Sequence, residues 1–167
     1  MTLLLRAVSG TLSEEQTVTI LISKLDFLAE ITNIHHQYCT FVDSKQFEDL
    51  VHLFSKNATI DYGPNLKRQG HADISAAFKQ LRLSCENTSH HISNIQIRLN
   101  MNQISGSAYV MAWHKILADT SADFTVLGRY SDEFVLENNK LKICNRVLLV
   151  HGSTKEVPLN KLTRASI

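Results

Sequence analysis

The spacing of apolar residues changes once along the chain, and this change constrains the fold more than any other feature. In the first half, apolar residues recur at steps of three and four, as between Val18 and Phe41. Such spacing is typical of amphipathic helices. After the polar stretch SCENTSH they alternate with polar residues, as in Ile95, Ile97 and Leu99. Alternation is typical of half-buried strands, and helices followed by strands predict an α+β fold.

The helical half divides into three predicted helices. Ser13 and the acidic residues after it form a capping-box start, and the first pattern runs to about Val42. The pattern permits one break near Ser23–Asp26. A shorter helix is predicted around Leu50, after the interruption at Asp43, and a third helix begins after Gly70.

The strands predict a curved, mostly antiparallel sheet. A short strand is expected at Asn57–Gly63, and ENNK at 137–140 is typical of a hairpin turn. The long strands are predicted at Ile95–Met101, Ile104–Leu117, Phe124–Glu137 and Leu141–Val150. Helices that cover one face of such a sheet produce a cone-shaped fold with an internal pocket. We expect an N-terminal arm at 1–12, one domain at 13–152 and a polar tail at 153–167.

Composition excludes several classes of function. The 167 residues have a net charge of +1 and no basic stripe, which argues against nucleic-acid binding. The chain lacks an apolar run of roughly 18–20 residues, so no membrane span is predicted. Cys39, Cys85 and Cys144 have no metal-ligand spacing and fit reduced thiols in the cytoplasm. We expect neither a metal nor a cofactor.

The adjacent histidines of TSHHISN differ in strand phase. Side chains alternate between faces of a strand, and the apolar residues after this motif have odd numbers. The phase therefore predicts that His91 points into the sheet's concave side and that His90 points away. A bulge between residues 91 and 95 would reverse the orientations of the two histidines. An inward histidine is either a general base or a core residue bonded to a backbone carbonyl.

Asp43 is the acid best placed to partner this histidine. It is also a good helix N-cap, because Gln46 completes a capping box. Alternatively, its carboxylate accepts a hydrogen bond from His91 and fixes the imidazole tautomer. Tyr38, at the end of the same helix, is either a core aromatic or a donor to a substrate oxygen.

Large side chains on the predicted strands provide further candidates for the pocket wall. Aromatic and Met residues at strand spacing are more often ordinary core residues than ligand contacts. The candidates for substrate binding are Tyr62, Met111, Trp113 and Tyr130.

Four segments in order give the chain a family resemblance. They are YCTFVDSKQFEDLVHLFSKNATIDYG, QGHADISAAF, SHHISNIQI and GRYSDEFVLENNKLKICNRVLLVHG. Together they resemble the SnoaL-like branch of the nuclear transport factor 2-like superfamily over about residues 16–152. This resemblance implies a SnoaL-like domain with a cone-shaped α+β fold.

The candidate site resembles those of scytalone dehydratases, bile-acid 7α-dehydratases and hexachlorocyclohexane dehydrochlorinases. These enzymes use a His–Asp pair for proton abstraction, and His91 and Asp43 match its positions. Tyr38 matches a tyrosine of the bile-acid enzyme, and Arg146 resembles an arginine near the dehydrochlorinase pocket. One departure is the second histidine of scytalone dehydratase, which aligns with Val110 or Met111 rather than with His114.

Residues and resemblance together predict a cofactor-independent, dehydratase-like lyase. His91 would be the base, Asp43 its partner and Tyr38 the donor to the substrate, a small, largely apolar ring compound or ketone. A ketosteroid-isomerase-like or polyketide-cyclase-like enzyme with Asp43 as base remains an alternative, as does a noncatalytic binding module. The resemblance also implies a homo-oligomer, either a dimer or a trimer.

Overall fold

Three helices and six strands form the fold in the part of the chain that the structure describes. The computed structural model describes residues 13–64, 66–100, 103–117 and 123–155. The predicted arm at 1–12 and residues 156–167 of the predicted tail lie outside these ranges. The helices are α1 Glu14–Asp43, α2 Phe47–Val51 and α3 Gly70–Ser84, and the strands are β1 Phe54–Asp61, β2 Lys67–Gln69, β3 Cys85–Asn100, β4 Gln103–Ile116, β5 Phe124–Glu137 and β6 Lys140–Ser153.

The strands form one curved, unclosed sheet with the order β2-β1-β6-β5-β4-β3. Strands β1 and β6 are parallel, and the other neighbours are antiparallel. Helices precede the long strands, so the predicted α+β class with a mostly antiparallel sheet is confirmed. None of the described helices combines the length and apolar character needed to cross a bilayer.

The core lies between the helices and the concave face of the sheet. Ile31, Ile34, Tyr38 and Val42 recur at the spacing of one face of α1, and all four side chains are buried. They pack with buried residues of α3, β1, β4 and β5 in one cluster. The polar end of this cluster, around Tyr38, becomes part of the candidate site.

Several predicted boundaries differ from the structure. Helix α1 is continuous through Ser23–Asp26, β1 begins at Phe54 rather than Asn57, and the short strand β2 was not predicted. Strand β3 begins at Cys85, ten residues before the predicted start at Ile95. Because β3 is an edge strand, its polar segment can form a ladder without a fully buried face. The predicted last residue of that strand, Met101, lies outside the described residues.

The hairpin between β5 and β6 turns where ENNK predicted it. Asn138 and Asn139 have φ values of 52° and 59°. A two-residue type I′ turn requires positive φ at both central residues, and asparagine tolerates it better than other non-glycine residues.

A bulge in β3 changes which of its side chains face the core. Ser93 is opposite Tyr109 and Gln96 is opposite Ser107, so β3 has one residue more than β4 in this interval. Asn94, within the interval, has a φ of 52°. One inserted residue exchanges the two faces of a strand. Even-numbered side chains therefore face inward before the bulge, and odd-numbered ones face inward after it.

We expect Asn94→Val to lower the free energy of unfolding by about 1–2 kcal/mol, because a β-branched residue is strained at positive φ. Asn94→Gly should be neutral or stabilising at the same position. Urea unfolding measures both variants. Gln96→Val is the matched control, since Gln96 is exposed on the same strand without positive φ. Equal losses in Asn94→Val and Gln96→Val would contradict the role of backbone strain.

Candidate active site

A cavity of about 110 Å³ lies between the helices and the concave face of the sheet. Its wall is mostly apolar, with side chains such as Val42, Phe78 and Val110. Five polar side chains contribute to the same wall: Tyr38, Tyr62, His90, His114 and Tyr130. An apolar cavity with a few polar groups is the usual form of a small-molecule site.

Asp43, the last residue of α1, accepts hydrogen bonds from the ring and the backbone of His90. Its Oδ1 accepts hydrogen bonds from His90 Nδ1 at 2.7 Å and from Thr88 Oγ1 at 2.8 Å. Its Oδ2 accepts from the backbone N–H of His90 at 2.9 Å. Partial burial raises the pKa of the Asp43 carboxyl, but the hydrogen bonds from His90 and Thr88 outweigh this effect and lower it overall. Asp43 is therefore an ionised acceptor at neutral pH.

This contact fixes the chemistry of His90. A carboxylate only accepts hydrogen bonds, so Nδ1 of His90 carries the proton. In the neutral ring, Nε2 then has a free lone pair. Nε2 has no hydrogen-bond partner among the described residues, and the ring lines the cavity with its side chain 6 % exposed. His90 has the geometry of a general base that is oriented by a carboxylate.

The predicted orientation of the two histidines is wrong. His91 is exposed on the convex face, opposite Met111, and its Nε2 contacts Ser89 Oγ at 3.1 Å. The bulge at Asn94 explains the error, because the phase of Ile95 and Ile97 does not extend back across it. The partner of Asp43 is thus His90, and His91 contributes nothing to the cavity.

Asp43 does not cap α2, as its sequence position had suggested. It belongs to α1, and the N-cap of α2 is Gln46, which makes no side-chain capping bond. Both carboxylate oxygens of Asp43 are directed to β3 instead. The alternative of a His–Asp contact is the one that the structure shows, with a different histidine.

Tyr38 and Tyr62 form a hydroxyl pair in the cavity wall. Their phenolic oxygens are 2.9 Å apart, and both side chains are buried. Burial raises the pKa of both phenols, so each keeps its proton. The Tyr38 hydroxyl also interacts with that of Tyr130, so two of the three O–H groups are used among these tyrosines and one stays available to a ligand oxygen. Tyr38, Tyr62 and Tyr130 all line the cavity.

Arg146 lies behind these tyrosines rather than in the cavity wall. Its side chain is 0 % exposed and makes two hydrogen bonds to Asp132, at 2.8 Å from Nε to Oδ1 and at 2.6 Å from Nη2 to Oδ2. Its guanidinium lies over the rings of Tyr38 and Tyr130, at 4.3 Å and 4.2 Å from their centroids. The expected direct substrate contact of Arg146 is wrong, because the aromatic rings separate it from the cavity.

His35 completes the buried cluster of Arg146 and Asp132. Its Nδ1 accepts a hydrogen bond from Arg146 at 3.2 Å, since a guanidinium only donates. Burial, followed by the charge of Arg146, lowers the pKa of His35 to about 2. His35 is therefore neutral, and the cluster contains one cation and one anion. The cluster supports Tyr38 from behind, because the Arg146 guanidinium lies over its ring. None of the three side chains contributes to the cavity wall.

His114 is a site residue that the sequence did not reveal. It lines the cavity, its ring stacks on Phe124 at 4.5 Å, and its centroid is 5.7 Å from that of His90. Its Nδ1 donates to the carbonyl of Ala112 at 3.1 Å. Burial and the neighbouring His90 lower the pKa of His114 to about 4, so it is neutral near pH 7. The signal available was its shared phase with Val110 and Ala112 on β4.

Met111 and Trp113 do not line the cavity. They are 45 % and 37 % exposed on the convex face, because odd-numbered residues of β4 point outward. Val110, Ala112 and His114 point inward instead. The predicted substrate contacts of Met111 and Trp113 are therefore wrong. The residues that the structure describes contain no group of three or more His, Cys, Asp or Glu that could hold a metal ion.

Solved structures share this fold at low sequence identity. A protein of Novosphingobium aromaticivorans assigned as a scytalone dehydratase is 23 % identical, with a TM-score of 0.76 over 82 % of this chain and 92 % of that one. Hexachlorocyclohexane dehydrochlorinase LinA-type3 of Novosphingobium barchaimii is 12 % identical, with a TM-score of 0.72 over 82 % and 94 %. ActVI-ORFA of Streptomyces coelicolor is 15 % identical, with a TM-score of 0.65 over 75 % and 98 %.

At these identities the structural neighbours establish the fold alone. No curated protein sequence matches the chain significantly. The family match is more extensive, since the SnoaL-like domain family aligns with residues 23–147. That range includes Asp43, His90 and His114, together with all three tyrosines of the cavity. The chain belongs to the SnoaL-like domain family.

Proposed function

We propose that this chain is a cofactor-independent lyase of the dehydratase type, with His90 as its general base. The observation that supports this proposal best is the hydrogen bond from His90 Nδ1 to Asp43 at the wall of an apolar cavity. It leaves Nε2 to accept a proton from a bound carbon acid. Structural neighbours described as a scytalone dehydratase and a dehydrochlorinase fit an elimination reaction.

The volume and lining of the cavity support a small, largely apolar substrate. An apolar cavity of roughly 150 Å³ holds one benzene-sized ring, and the cavity here is of that order at about 110 Å³. The polar groups are confined to the histidines at one end and the tyrosine hydroxyls. A ring compound with one ketone oxygen satisfies both regions, because the ketone accepts a hydrogen bond from a phenol.

The proposed elimination uses the tyrosine pair, His90 and Asp43. A ketone oxygen accepts a hydrogen bond from the Tyr38–Tyr62 pair, which acidifies the neighbouring C–H bond. His90 Nε2 takes that proton, and the C–H electrons form a carbon–carbon double bond as the C–O bond on the next carbon breaks. The leaving hydroxyl receives the proton from the His90 imidazolium and departs as water. Asp43 stabilises the imidazolium between these two transfers.

The alternative with Asp43 as base receives less support from the geometry. Asp43 does not line the cavity, and both of its oxygens already accept hydrogen bonds. His114 is a weak base, because burial lowers its pKa to about 4 and makes its protonated form costly. These two observations favour His90 as the group that receives the proton.

Proton exchange and elimination together test the proposed activity. Cyclohexanone and 3-hydroxycyclohexanone are incubated with the protein in D₂O, and NMR follows α-deuteration of the first and enone formation from the second. We expect both reactions to exceed the buffer rate. Deuteration without enone would favour an isomerase or cyclase over a lyase. Absence of both reactions across a panel of small ring ketones would sink the proposal and favour a binding module.

A further inference from the structure

The convex face of the sheet contains a second, polar cleft of about 140 Å³. Two arginines, three serines and a glutamine line it, on strands β3, β4 and β5. The serines of β4 have odd numbers and thus share the outward phase of Met111 and Trp113. The sheet separates this cleft from the cavity of His90, so the two sites have no side chain in common.

Strand register places the two arginines on opposite sides of a central polar row. Gln96, Ser107 and Ser131 are consecutive neighbours across β3, β4 and β5 and form this row. On β3, Arg98 is opposite Ser105, two residues from Ser107 along β4 in one direction. On β5, Arg129 is opposite Tyr109, two residues from Ser107 in the other direction. Both arginines line the same cleft, so both flank Ser107 from opposite directions.

The donors of this cleft have no acceptor among the described residues. Neither guanidinium forms a hydrogen bond or an ion pair there, and the hydroxyls of Ser107 and Ser131 are likewise without partners. Arg129 Nε is buried and unsatisfied. A buried donor without an acceptor is costly. Glu133, on a neighbouring row, makes no ion pair with either arginine.

We propose that this cleft binds a tetrahedral oxyanion of the phosphate class. A phosphate group has about −1.5 to −2 charges at neutral pH, which matches two guanidiniums. Its oxygens can accept bidentate bonds from both arginine forks and further bonds from the serine hydroxyls. A single carboxylate has one charge and two oxygens, so it leaves part of this donor set unused.

Calorimetric titration with inorganic phosphate at constant ionic strength, adjusted with chloride, tests the site. We expect saturable binding, with the dissociation constant raised about tenfold or more in Arg98→Ala and in Arg129→Ala. Lys140→Ala is the matched control, because it removes one exposed positive charge from the distant β5–β6 turn. Circular dichroism confirms that each variant is folded. Equal weakening in Lys140→Ala would show general charge attraction and overturn the proposal.

A second titration distinguishes the source of the phosphate group. Equal affinity for inorganic phosphate and phenyl phosphate identifies the free ion as sufficient. Tighter binding of phenyl phosphate identifies an organic phosphate, with Tyr109 beside Arg129 as an adjacent apolar contact. No binding of either compound to the wild type overturns the proposal. Self-association that is lost in Arg98→Ala, without phosphate binding, would also overturn it and assign the arginines to a second copy of the chain. None of these outcomes depends on the lyase activity.

Discussion

Replacing His90 by Gln is expected to lower the rate of ketone deuteration by about 10²–10⁴-fold, while His91→Gln leaves it close to that of the wild type. His90 Nε2 is an imidazole nitrogen at the cavity wall that is oriented through Asp43, and glutamine has no group that accepts a proton at neutral pH. His91 is exposed on the opposite face of the same strand. The NMR deuteration assay in D₂O measures both variants.

The two histidines form an unusually well matched pair for this experiment. They are adjacent, so both substitutions change composition equally and lie at the same point of β3. Glutamine at 90 can still donate an amide N–H to Asp43, which limits the loss of structure. Urea unfolding of both variants separates folding from activity. Equal losses of exchange in the two variants, with folds intact, would contradict His90 as the base.

Most of the fold was predictable because the spacing of apolar residues along the chain indicates which segments are helices and which are strands. The change from helical to alternating spacing indicates which elements bury one face. This pattern can be read within one element, without knowing which other element packs against it. The turn at Asn138 and Asn139 was predictable for the same reason, since positive φ is a local requirement. The early start of β3 was missed because an edge strand tolerates a polar sequence.

The histidine orientation was not predictable from alternation after the motif alone. Ile92 and Ile95 both pack against the core, although one position is even-numbered and the other odd-numbered. Apolar residues on both phases within four positions are the trace of a bulge, and Asn94 is a residue that tolerates its backbone. This signal was present in the sequence, but only the register of β3 against β4 distinguishes it from a strand buried on both faces.

Side-chain size was a misleading guide to the cavity wall. Met111 and Trp113 are large apolar residues of β4, yet they point outward. The inward positions are Val110, Ala112 and His114. A strand that lines a cavity must leave space for the ligand, so small inward residues are required where a packed core would have large ones.

The cluster behind the tyrosines could not be inferred from spacing, because its members are far apart in sequence. His35 is on α1, Asp132 on β5 and Arg146 on β6. Register makes Asp132 and Arg146 direct cross-strand neighbours, and only α1 brings His35 to them. The resemblance to known enzymes identified Arg146 as important, but the tertiary structure gives it a supporting position.

We expect a second large effect, on stability, when the buried ion pair between Arg146 and Asp132 is broken. Arg146→Met should lower the free energy of unfolding by about 3–5 kcal/mol, and Asp132→Asn by a similar amount, because each leaves a buried charge without its partner. Both side chains have 0 % exposure, so water cannot replace the missing partner without rearrangement. Urea unfolding at neutral pH measures the change.

The double variant Arg146→Met/Asp132→Asn separates the loss of the ion pair from the loss of packing. It removes both charges together, and we expect its loss of stability to be clearly smaller than the two single losses added. The total stability of a domain is about 5–15 kcal/mol, so a single variant that fails to fold is still informative if the double variant folds. Losses that add without coupling would contradict the pairing argument.

The same double variant also tests the link between the cluster and the site. With the guanidinium removed, the rings of Tyr38 and Tyr130 lose the cation that lies over them. Burial raises the pKa of these phenols while Arg146 lowers it, so its removal makes the hydroxyls weaker acids and poorer donors to a developing enolate. We therefore expect a folded double variant to bind ketone with little change while deuterating it more slowly. Unchanged deuteration would restrict Arg146 to a structural role.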